Sequence, residues 1–383
     1  MDEESVMDSV MDNSTESPPF EFSDYTQRVI VATMFLIAFV VGTIGNSLVI
    51  LAVLLSKKLR TTTNAFVVSL SIADLLTCLV IPWNAVALLG KDGLPVGEWI
   101  CSIVAIAQAT TVGCSLYMLA SIGLNRLLLI TRASTTYRVI FTPRKIAVWL
   151  LLIWLIPLLI VLLPPVLNVG AVGFNPKYHT CGSISSHPKS NYYDLIIVGT
   201  LYPIPLLTLL VCYILIWRHL YLHAKRMVSS PEASFDSTDN RLSVVSKSVV
   251  TINSNHSHQS RHSHHHLPTS PSRSGTVSRS RMSRRQTEIT KNMFYIVCGF
   301  MLCLTPYAIC LFFDDSDPVL PYAAAILFIN SCINPFIYAT KHPHFKTVFG
   351  CIFRRQWDHI PDPSDSLKAL RSRCSCGRSS VYA

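Results

Sequence analysis

Charged side chains are scarce in this sequence. Only 14% of its 383 residues are Asp, Glu, Lys or Arg, whereas about a quarter is usual for a soluble domain. Lys and Arg are missing altogether from residues 1–27, and none of the 13 histidines falls within a long apolar stretch. The low charge argues against a soluble globular protein. The lack of intramembrane histidine argues against a membrane-embedded zinc hydrolase, because zinc sites draw their ligands largely from His and Cys.

Long apolar stretches are what the sequence has in abundance. Half of its residues are hydrophobic, and they form blocks long enough to cross a bilayer, which takes roughly 20 residues for about 30 Å of hydrocarbon. We predict an all-α membrane protein, a bundle of seven transmembrane helices followed by a short amphipathic eighth helix. The predicted spans lie near 29–55, 65–89, 100–125, 146–168, 195–217, 292–313 and 319–340.

The distribution of Lys and Arg orients these spans, because short cytoplasmic loops are enriched in both residues. The first and third loops carry Lys57, Lys58, Arg60, Arg132, Arg138, Arg144 and Lys145. We therefore predict a multi-pass plasma-membrane protein with an extracellular N-terminus and a cytoplasmic C-terminus. The net charge of +10 lies mainly on the inner side, where it suits anionic lipid and acidic partners. Nucleic acid is not expected as a partner.

The segments around the spans differ in composition. Asn13 begins a glycosylation sequon on the exported side. Cys351 is either a palmitoylation site or an unmodified interfacial thiol. The histidines within 256–266 are interpreted as a solvated polar tract, with metal binding as the alternative. The predicted organisation is an extracellular tail at 1–27, spans one to five in 28–226, a disordered cytoplasmic loop at 227–285, spans six and seven in 286–340, an amphipathic membrane-surface helix at 341–355 and a polar cytoplasmic tail at 356–383.

Two of the 12 cysteines, Cys101 and Cys181, fall in the exported part of the chain. Oxidising conditions outside the cell favour a disulfide between them, and two free thiols are the alternative. A bond here would hold the loop between spans four and five across the outer mouth of the bundle.

A carboxylate in the middle of span two is the strongest functional signal. Asp74 needs a cation, a proton or converging polar groups at that depth, and ionisable residues kept inside spans usually serve function. Arg126 lies at the inner end of span three. Polar residues available to Asp74 from other spans are Asn46, Ser115, Asn330 and Asn334. The alternative is a polar cluster that only joins helices.

These residues belong to an ordered set that resembles the rhodopsin-like (class A) G-protein-coupled receptors. The set covers all seven spans and comprises Gly45-Asn46, Ser71-Ile72-Ala73-Asp74, Asn125-Arg126, Trp154, Pro205 with Tyr213, Phe300 with Pro306, and Asn334-Pro335-Phe336-Ile337-Tyr338. The resemblance implies a receptor, not an enzyme, that binds a small extracellular ligand and activates a heterotrimeric G protein. Receptor kinases and arrestin are implied as further partners.

The resemblance also implies roles for particular residues. Asp74, Ser115, Asn330 and Asn334, with Asn46 beside them, match the family's allosteric sodium site, and no other cofactor is expected. Arg126, Tyr213 and Tyr338 match the switch that couples to the G protein. Cys101 and Cys181 match the outer disulfide.

Several positions depart from the family's pattern. Asn125 stands where an acid usually precedes the switch arginine, and Leu127 replaces the tyrosine after it. Gln286, with Glu288 nearby, replaces the locking acid of span six, and Leu304 replaces the tryptophan before Pro306. Because these changes weaken the restraints on the resting state, we predict measurable basal signalling.

The nature of the ligand follows from the pocket that the resemblance implies. Gln108 occupies the position of the acid of amine receptors, and Phe328 that of the opsin lysine, so neither a charged amine nor retinal is expected. Lys177 and His179 could receive a carboxylate, with solvent-exposed charge as the alternative. A mostly apolar pocket with a few hydrogen-bonding groups suits a neutral or lipid-like ligand. Its predicted lining is Asn84, Gln108, Val112, Ile197, Leu201, Tyr307, Leu311 and Phe328.

Within class A, Asn125-Arg126 and the stretch at 172–177 resemble the branch of melatonin receptors, Moody-type orphan receptors and a medium-chain fatty-acid-responsive orphan. Asn334-Pro335 departs from the usual Asn-Ala of melatonin receptors, which counts against melatonin itself. The branch implies a G protein of the inhibitory class. A seven-span transporter or channel remains the alternative function, although the sequence offers neither a polar path nor an inverted repeat.

Overall fold

The computed structural model describes residues 20–90, 97–228, 294–295, 297–311, 313 and 316–369. The sites predicted at Asn13, Gln286, Glu288 and 256–266 lie outside these residues. The chain divides into two compact units, one formed by Met1–Ile216 with Glu288–Ala383 and the other by Trp217–Thr287. Within the second unit, the described part is the helical stretch 217–228.

Helices make up nearly all of the described structure. Six of them, counting α6 and α7 together, are long and apolar enough to cross a membrane, and α8 is a shorter apolar helix. The described helices are α1 (Tyr25–Leu55), α2 (Thr62–Leu89), α3 (Glu98–Thr131), α4 (Ser134–Ile140), α5 (Pro143–Val166), α6 (Ser190–Leu201), α7 (Pro203–Val228), α8 (Val297–Cys310), α9 (Leu320–Lys341) and α10 (Pro343–Phe353).

Two helix boundaries differ from the predicted spans in ways that matter. The helix α3 continues to Thr131, so Arg126 lies inside a helix and not at its end. The predicted fifth span is divided at Tyr202 into α6 and α7. Pro203 explains the division, because proline lacks an N–H group and its ring clashes with the preceding turn of a helix.

The loop between α5 and α6 contains a β-hairpin that the all-helical prediction lacked. Strand β1 (Val172–Asn175) pairs antiparallel with β2 (Thr180–Ser183). Four residues connect the strands, and the last of them, His179, has a φ of 51°. The hairpin contacts α3 through Ser102, whose hydroxyl donates to Val172 O over 2.9 Å. The outer loop therefore has regular structure of its own.

The predicted N-terminal tail, 1–27, contains ordered residues at its end. Phe22 is buried against Tyr322 of α9, with ring centroids 6.1 Å apart, and its N–H donates to Lys177 O over 2.9 Å. Asp24 caps α1 by accepting from Thr26 N. Arg28, a buried charge that the sequence analysis overlooked, donates to the carbonyls of Leu88 and Gly90 at the end of α2.

The predicted cytoplasmic tail, 356–383, likewise begins with a folded segment. Residues 360–367, called the C-terminal clasp here, lie against the end of α1. Ser56 pairs with Pro363 in a β-bridge, and Ser364 N donates to Leu55 O over 2.8 Å. Ile360 and Leu367 are 3% and 5% exposed and belong to the main hydrophobic core. The segment is polar in composition, but it is held in place because it satisfies the carbonyl of Leu55 at the end of α1 and buries these two side chains.

Removing an anchor of the C-terminal clasp tests its contribution to stability. We expect Leu367→Ala to lower the free energy of unfolding by about 2 kcal/mol, because a buried leucine side chain is lost from a packed core. Thermal unfolding of the purified protein in detergent measures this. Asp365→Asn is the matched control: Asp365 pairs with Lys57 over 2.7 Å at the surface, and exposed pairs contribute little. Equal stabilities for the two variants would contradict a packed clasp.

Candidate functional site

Asp74 is the centre of a polar cluster within the bundle. Its side chain is 1% exposed. Ser115 of α3 donates to one carboxylate oxygen over 3.0 Å, and Asn334 of α9 donates to the other over 2.8 Å. Ser331 of α9 also lies close enough to interact with the carboxylate. Among the described residues, none of the Lys, Arg or His side chains forms an ion pair with Asp74. The carboxylate of Asp74, the Ser115 hydroxyl and the side-chain carbonyl of Asn334 supply the oxygen ligands that hard cations prefer, so these residues fit sodium.

The two other members of the predicted sodium set lie beside the cluster. Asn46 is fully buried and donates to the carbonyls of Gly42 and Ser331, each over 2.9 Å, so it joins α1 to α9. Asn330 is 5% exposed, and it is its neighbour Ser331 that lies close enough to interact with Asp74. The sequence analysis missed Ser331. Its spacing of three residues from Asn334 was the available signal, because residues i and i+3 share a helix face.

Arg126 is buried, with its side chain 5% exposed, and its Nε has no hydrogen-bond partner among the described residues. Three tyrosines, Tyr137, Tyr213 and Tyr338, lie close enough to interact with its charge. The structure thus brings the three predicted switch residues into one region. It also adds Tyr137 of α4, which no sequence motif had marked.

Asn125 makes contacts that differ from those expected of an acid in its place. Its Oδ1 accepts from Thr63 of α2 over 2.8 Å, and its Nδ2 donates to the hydroxyl of Tyr137 over 3.0 Å. Asn125 therefore links α3 to both α2 and α4. It carries no charge with which to restrain Arg126.

Tyr338 connects the switch region to α10. Its side chain is 1% exposed, and its ring stacks on Phe345 at a centroid distance of 5.4 Å. Its hydroxyl has no partner among the described residues. Phe345, Val348 and Phe349 of α10 are buried in the main core. The apolar face from which a membrane-surface helix was predicted therefore packs against the bundle.

Cys351 of α10 is also inside this packing. Its side chain is 7% exposed and belongs to the main core cluster. Palmitoylation of Cys351 remains a prediction, and it would require the thiol to leave the core.

Cys101 at the start of α3 and Cys181 of β2 form a disulfide. The structure therefore contradicts the alternative of two free thiols. The Cys181 N–H also donates to Asn84 Oδ1 over 2.8 Å, which attaches the hairpin to α2 as well as to α3. These two attachments place the hairpin over the outer end of the bundle.

A cavity of about 510 Å³ lies beneath the hairpin. Its lining includes seven of the eight predicted pocket residues: Asn84, Gln108, Val112, Ile197, Tyr307, Leu311 and Phe328. The eighth, Leu201, is 5% exposed and packs close to Gly113, where an added Cβ would meet its Cδ1 at 3.1 Å. The structure adds a carboxylate to the lining, Asp194 of α6. Asp194 was not among the predicted lining residues.

The other charges of the cavity lining neutralise each other. Lys177 Nζ lies 2.7 Å from Asp317 Oδ2, and the hydroxyl of Tyr178 donates to Asp317 Oδ1 over 2.5 Å. Burial, together with the neighbouring Asp317, raises the pKa of Tyr178, so its hydroxyl stays a donor. His179 is paired with Glu21 at 2.8 Å. Neither Lys177 nor His179 is therefore the uncommitted cation that a ligand carboxylate would need.

Comparison with known proteins defines the class to which this fold and site belong. The family model described as "7 transmembrane receptor (rhodopsin family)" matches residues 45–338, which include Asp74, Arg126 and Tyr338. The fold is similar to that of squid rhodopsin, with a TM-score of 0.68, 18% sequence identity and 91% of each chain covered. The chain belongs to the rhodopsin family of seven-transmembrane receptors. It is accordingly a multi-pass membrane protein and a G-protein-coupled receptor, and the predicted seven-helix bundle is confirmed.

Curated relatives refine this placement. The Moody receptor of Drosophila melanogaster is 28% identical over 368 residues, covering 88% of this chain and 53% of the relative. Protein trapped in endoderm-1 of the same organism is 28% identical and covers 88% of this chain and 80% of the relative. Melatonin receptor type 1B-A of Danio rerio is 32% identical over 53% of this chain and 68% of the relative. The chain spans about half the length of the Moody receptors that it matches.

Proposed function

We propose that this receptor binds a neutral or lipid-like small ligand from outside the cell and activates a heterotrimeric G protein of the inhibitory class. The observation that carries the proposal is the outer cavity, which is large enough for a small molecule and has no uncommitted cation among the described lining residues. The likeness to melatonin receptors supports the inhibitory class. The proposal places the receptor in the plasma membrane with its N-terminus outside, and it includes receptor kinases and arrestin as partners.

The Asp74 cluster lies between this cavity and the Arg126 region and gives the proposal its mechanism. Asp74 draws together α2, α3 and α9 through Ser115, Ser331 and Asn334. We propose that sodium beside Asp74 strengthens this arrangement and favours the resting state. Ligand binding then shifts the population of the bundle towards the state in which Arg126 is available to the G protein, provided that the ligand binds that state more tightly.

Basal activity tests the coupling part of the proposal. We expect the wild-type receptor to stimulate nucleotide exchange without ligand, because Asn125 is committed to Thr63 and Tyr137 and does not hold Arg126. An acid at this position would form a buried ion pair with Arg126. Breaking such a pair costs several kcal/mol. Asn125→Asp should therefore lower basal exchange at least severalfold. The assay uses purified receptor with an inhibitory-class G protein and a labelled GTP analogue.

The control for basal activity is Arg126→Ala, which removes the proposed contact with the G protein. Exchange by the wild type must exceed exchange by Arg126→Ala at equal expression. Equal rates for the two proteins, at high receptor density, would contradict basal coupling.

A transporter or channel is not favoured, because the chain belongs to a receptor family. Solute flux through receptor-containing liposomes without any nucleotide exchange would reverse this conclusion.

A further inference from the structure

A second cavity, of about 560 Å³, forms a groove on the side of the bundle between α3, α5 and α7. It shares no lining residue with the outer cavity. Exposed apolar side chains form its rim, among them Val148 and Leu152 of α5 and Ile204 of α7. Because α5 and α7 belong to helices long and apolar enough to cross a membrane, these side chains contact lipid. An occupant of this groove therefore comes from the bilayer.

The polar groups along the length of the groove already have partners. Trp149 Nε1 donates to Ser121 Oγ over 3.0 Å, and Ser121 Oγ donates to Tyr117 O over 2.8 Å. The Tyr117 hydroxyl donates to Thr200 O over 3.4 Å, and the Thr208 hydroxyl donates to a backbone carbonyl one turn earlier over 2.8 Å. The body of the groove therefore requires no hydrogen bond from its occupant, which suits a hydrocarbon chain.

One end of the groove is basic. Arg144 and Lys145, in the first turn of α5, belong to its lining and are exposed. Lys145 Nζ donates to Val139 O over 2.8 Å, which leaves its charge unneutralised. Among the described residues neither Arg144 nor Lys145 forms an ion pair, and the sequence contains no acid between Glu98 and Asp194. The basic loops predict that this end is cytoplasmic, where the leaflet contains anionic phospholipids.

The length of the groove matches one leaflet of the membrane. Its lining on α5 runs from Arg144 to Ile156, which is roughly 18 Å at 1.5 Å per residue. One leaflet contributes half of a hydrocarbon core of about 30 Å. A lipid with its headgroup at Arg144 and Lys145 can therefore extend one chain along the groove to the middle of the membrane.

We propose that this groove binds an anionic phospholipid of the cytoplasmic leaflet, with the phosphate at Arg144 and Lys145 and one acyl chain along the apolar lining. The two parts of such a molecule match the two parts of the groove. A sterol would leave both cations without an anion, and a zwitterionic lipid carries a cation of its own. The inference concerns lipid binding and does not depend on the proposed ligand or G protein.

Native mass spectrometry of the full-length receptor, purified in detergent, tests the proposal. The probe is dioleoyl phosphatidylserine. Dioleoyl phosphatidylcholine has the same chains and phosphate without net charge, and glycerophosphoserine has the headgroup without chains. We expect the Kd of the first bound phosphatidylserine to be about tenfold lower than that of phosphatidylcholine, because two basic residues attract an anionic headgroup. Glycerophosphoserine should not be retained, since it buries no apolar chain.

A pair of double variants tests the basic end of the groove. Arg144→Gln with Lys145→Gln should reduce the preference for phosphatidylserine from about tenfold to less than about threefold, because the attraction by both cations is lost. Lys58→Gln with Lys346→Gln is the matched control. It also removes two charges, and Lys58 and Lys346 are exposed and lie outside the groove lining. This control should keep the preference of the wild type.

A pair of tryptophan variants tests the apolar body of the groove. Val148→Trp fills the groove without changing its charge and should raise the Kd of phosphatidylserine about fivefold, because chain contacts are lost. Leu151→Trp is the control, since Leu151 is exposed on the same helix outside the lining. It should bind phosphatidylserine as the wild type does. The thermal unfolding midpoint of each variant is checked before its lipid binding is interpreted.

Three results would overturn the site. Equal affinities of the wild type for phosphatidylserine and phosphatidylcholine would show that the groove does not select an anionic lipid. Equal losses in the two double variants would show a general attraction to a basic surface. Cholesterol binding that Val148→Trp weakens, with phosphatidylserine binding unchanged, would assign the groove to a sterol.

Discussion

Cys181→Ala is expected to lower the free energy of unfolding by about 4 kcal/mol. The Cys101–Cys181 disulfide joins residues separated by 80 positions, and closing a loop of that length in the unfolded chain corresponds to roughly 4.5 kcal/mol. Unfolded receptor in detergent retains part of its helical structure, which makes the loop less free and reduces this figure slightly. The measurement is thermal or denaturant unfolding of the purified receptor with and without reductant.

The same substitution should weaken ligand binding, because Cys181 and Ser183 line the outer cavity. Without the disulfide, the attachments of the hairpin described above are reduced to the hydrogen bonds with Ser102 of α3 and Asn84 of α2. Cys303→Ala is the matched control: Cys303 is a buried free thiol, and its loss should cost about 1 kcal/mol. If the two variants unfold at the same midpoint and reductant has no effect on the wild type, the disulfide does not stabilise the receptor.

Asp74→Ala is expected to produce the second large effect, a loss of about 3 kcal/mol together with loss of sodium sensitivity. Ser115 and Asn334 would lose the acceptor that they share, and each unsatisfied buried donor costs about 1–3 kcal/mol. Part of that cost is recovered as the Ser115 hydroxyl turns to a backbone carbonyl of its own helix. Unfolding midpoints and basal nucleotide exchange, each measured in sodium and in potassium chloride, report the two effects.

Asp74→Asn separates the effect of charge from that of shape. The asparagine retains the volume and an acceptor oxygen, so stability should fall less than in Asp74→Ala, whereas sodium dependence should disappear in both. Asp365→Asn, which changes an exposed carboxylate in the C-terminal clasp, should keep the sodium response of the wild type. A sodium response that survives in Asp74→Ala would place the cation elsewhere.

Much of the bundle was predictable because membrane insertion is a local property of sequence. Twenty apolar residues in a row specify a span with little help from the rest of the chain, and a carboxylate within one, such as Asp74, is conspicuous. The predicted polar partners Ser115 and Asn334 do bond Asp74, because each occupies a helix face that packing turns inward. Ser331 was missed since serine is common in spans and does not stand out.

Contacts between segments far apart in the chain were not predictable. The C-terminal clasp is polar in composition, and its position depends on backbone groups of Leu55 and Ser56 that carry no side-chain signal. The pairing of Lys177 with Asp317 joins the hairpin to the residues just before α9, and it reversed the expectation that Lys177 is a candidate to receive a carboxylate. Asp194 lines the cavity, and this depends on the path that α6 takes after the hairpin, which the sequence does not show.

The amino-acid sequence by itself determined the number of membrane spans, their predicted orientation and the family. Each of these follows from a signal that is local in the chain: the length of the apolar stretches, the basic loops and the ordered motifs. The tertiary structure decided which polar groups are satisfied and which remain available. Hydrogen-bond partners come from different helices, and only their packing shows that Thr63 of α2 and Tyr137 of α4 both bond Asn125 of α3.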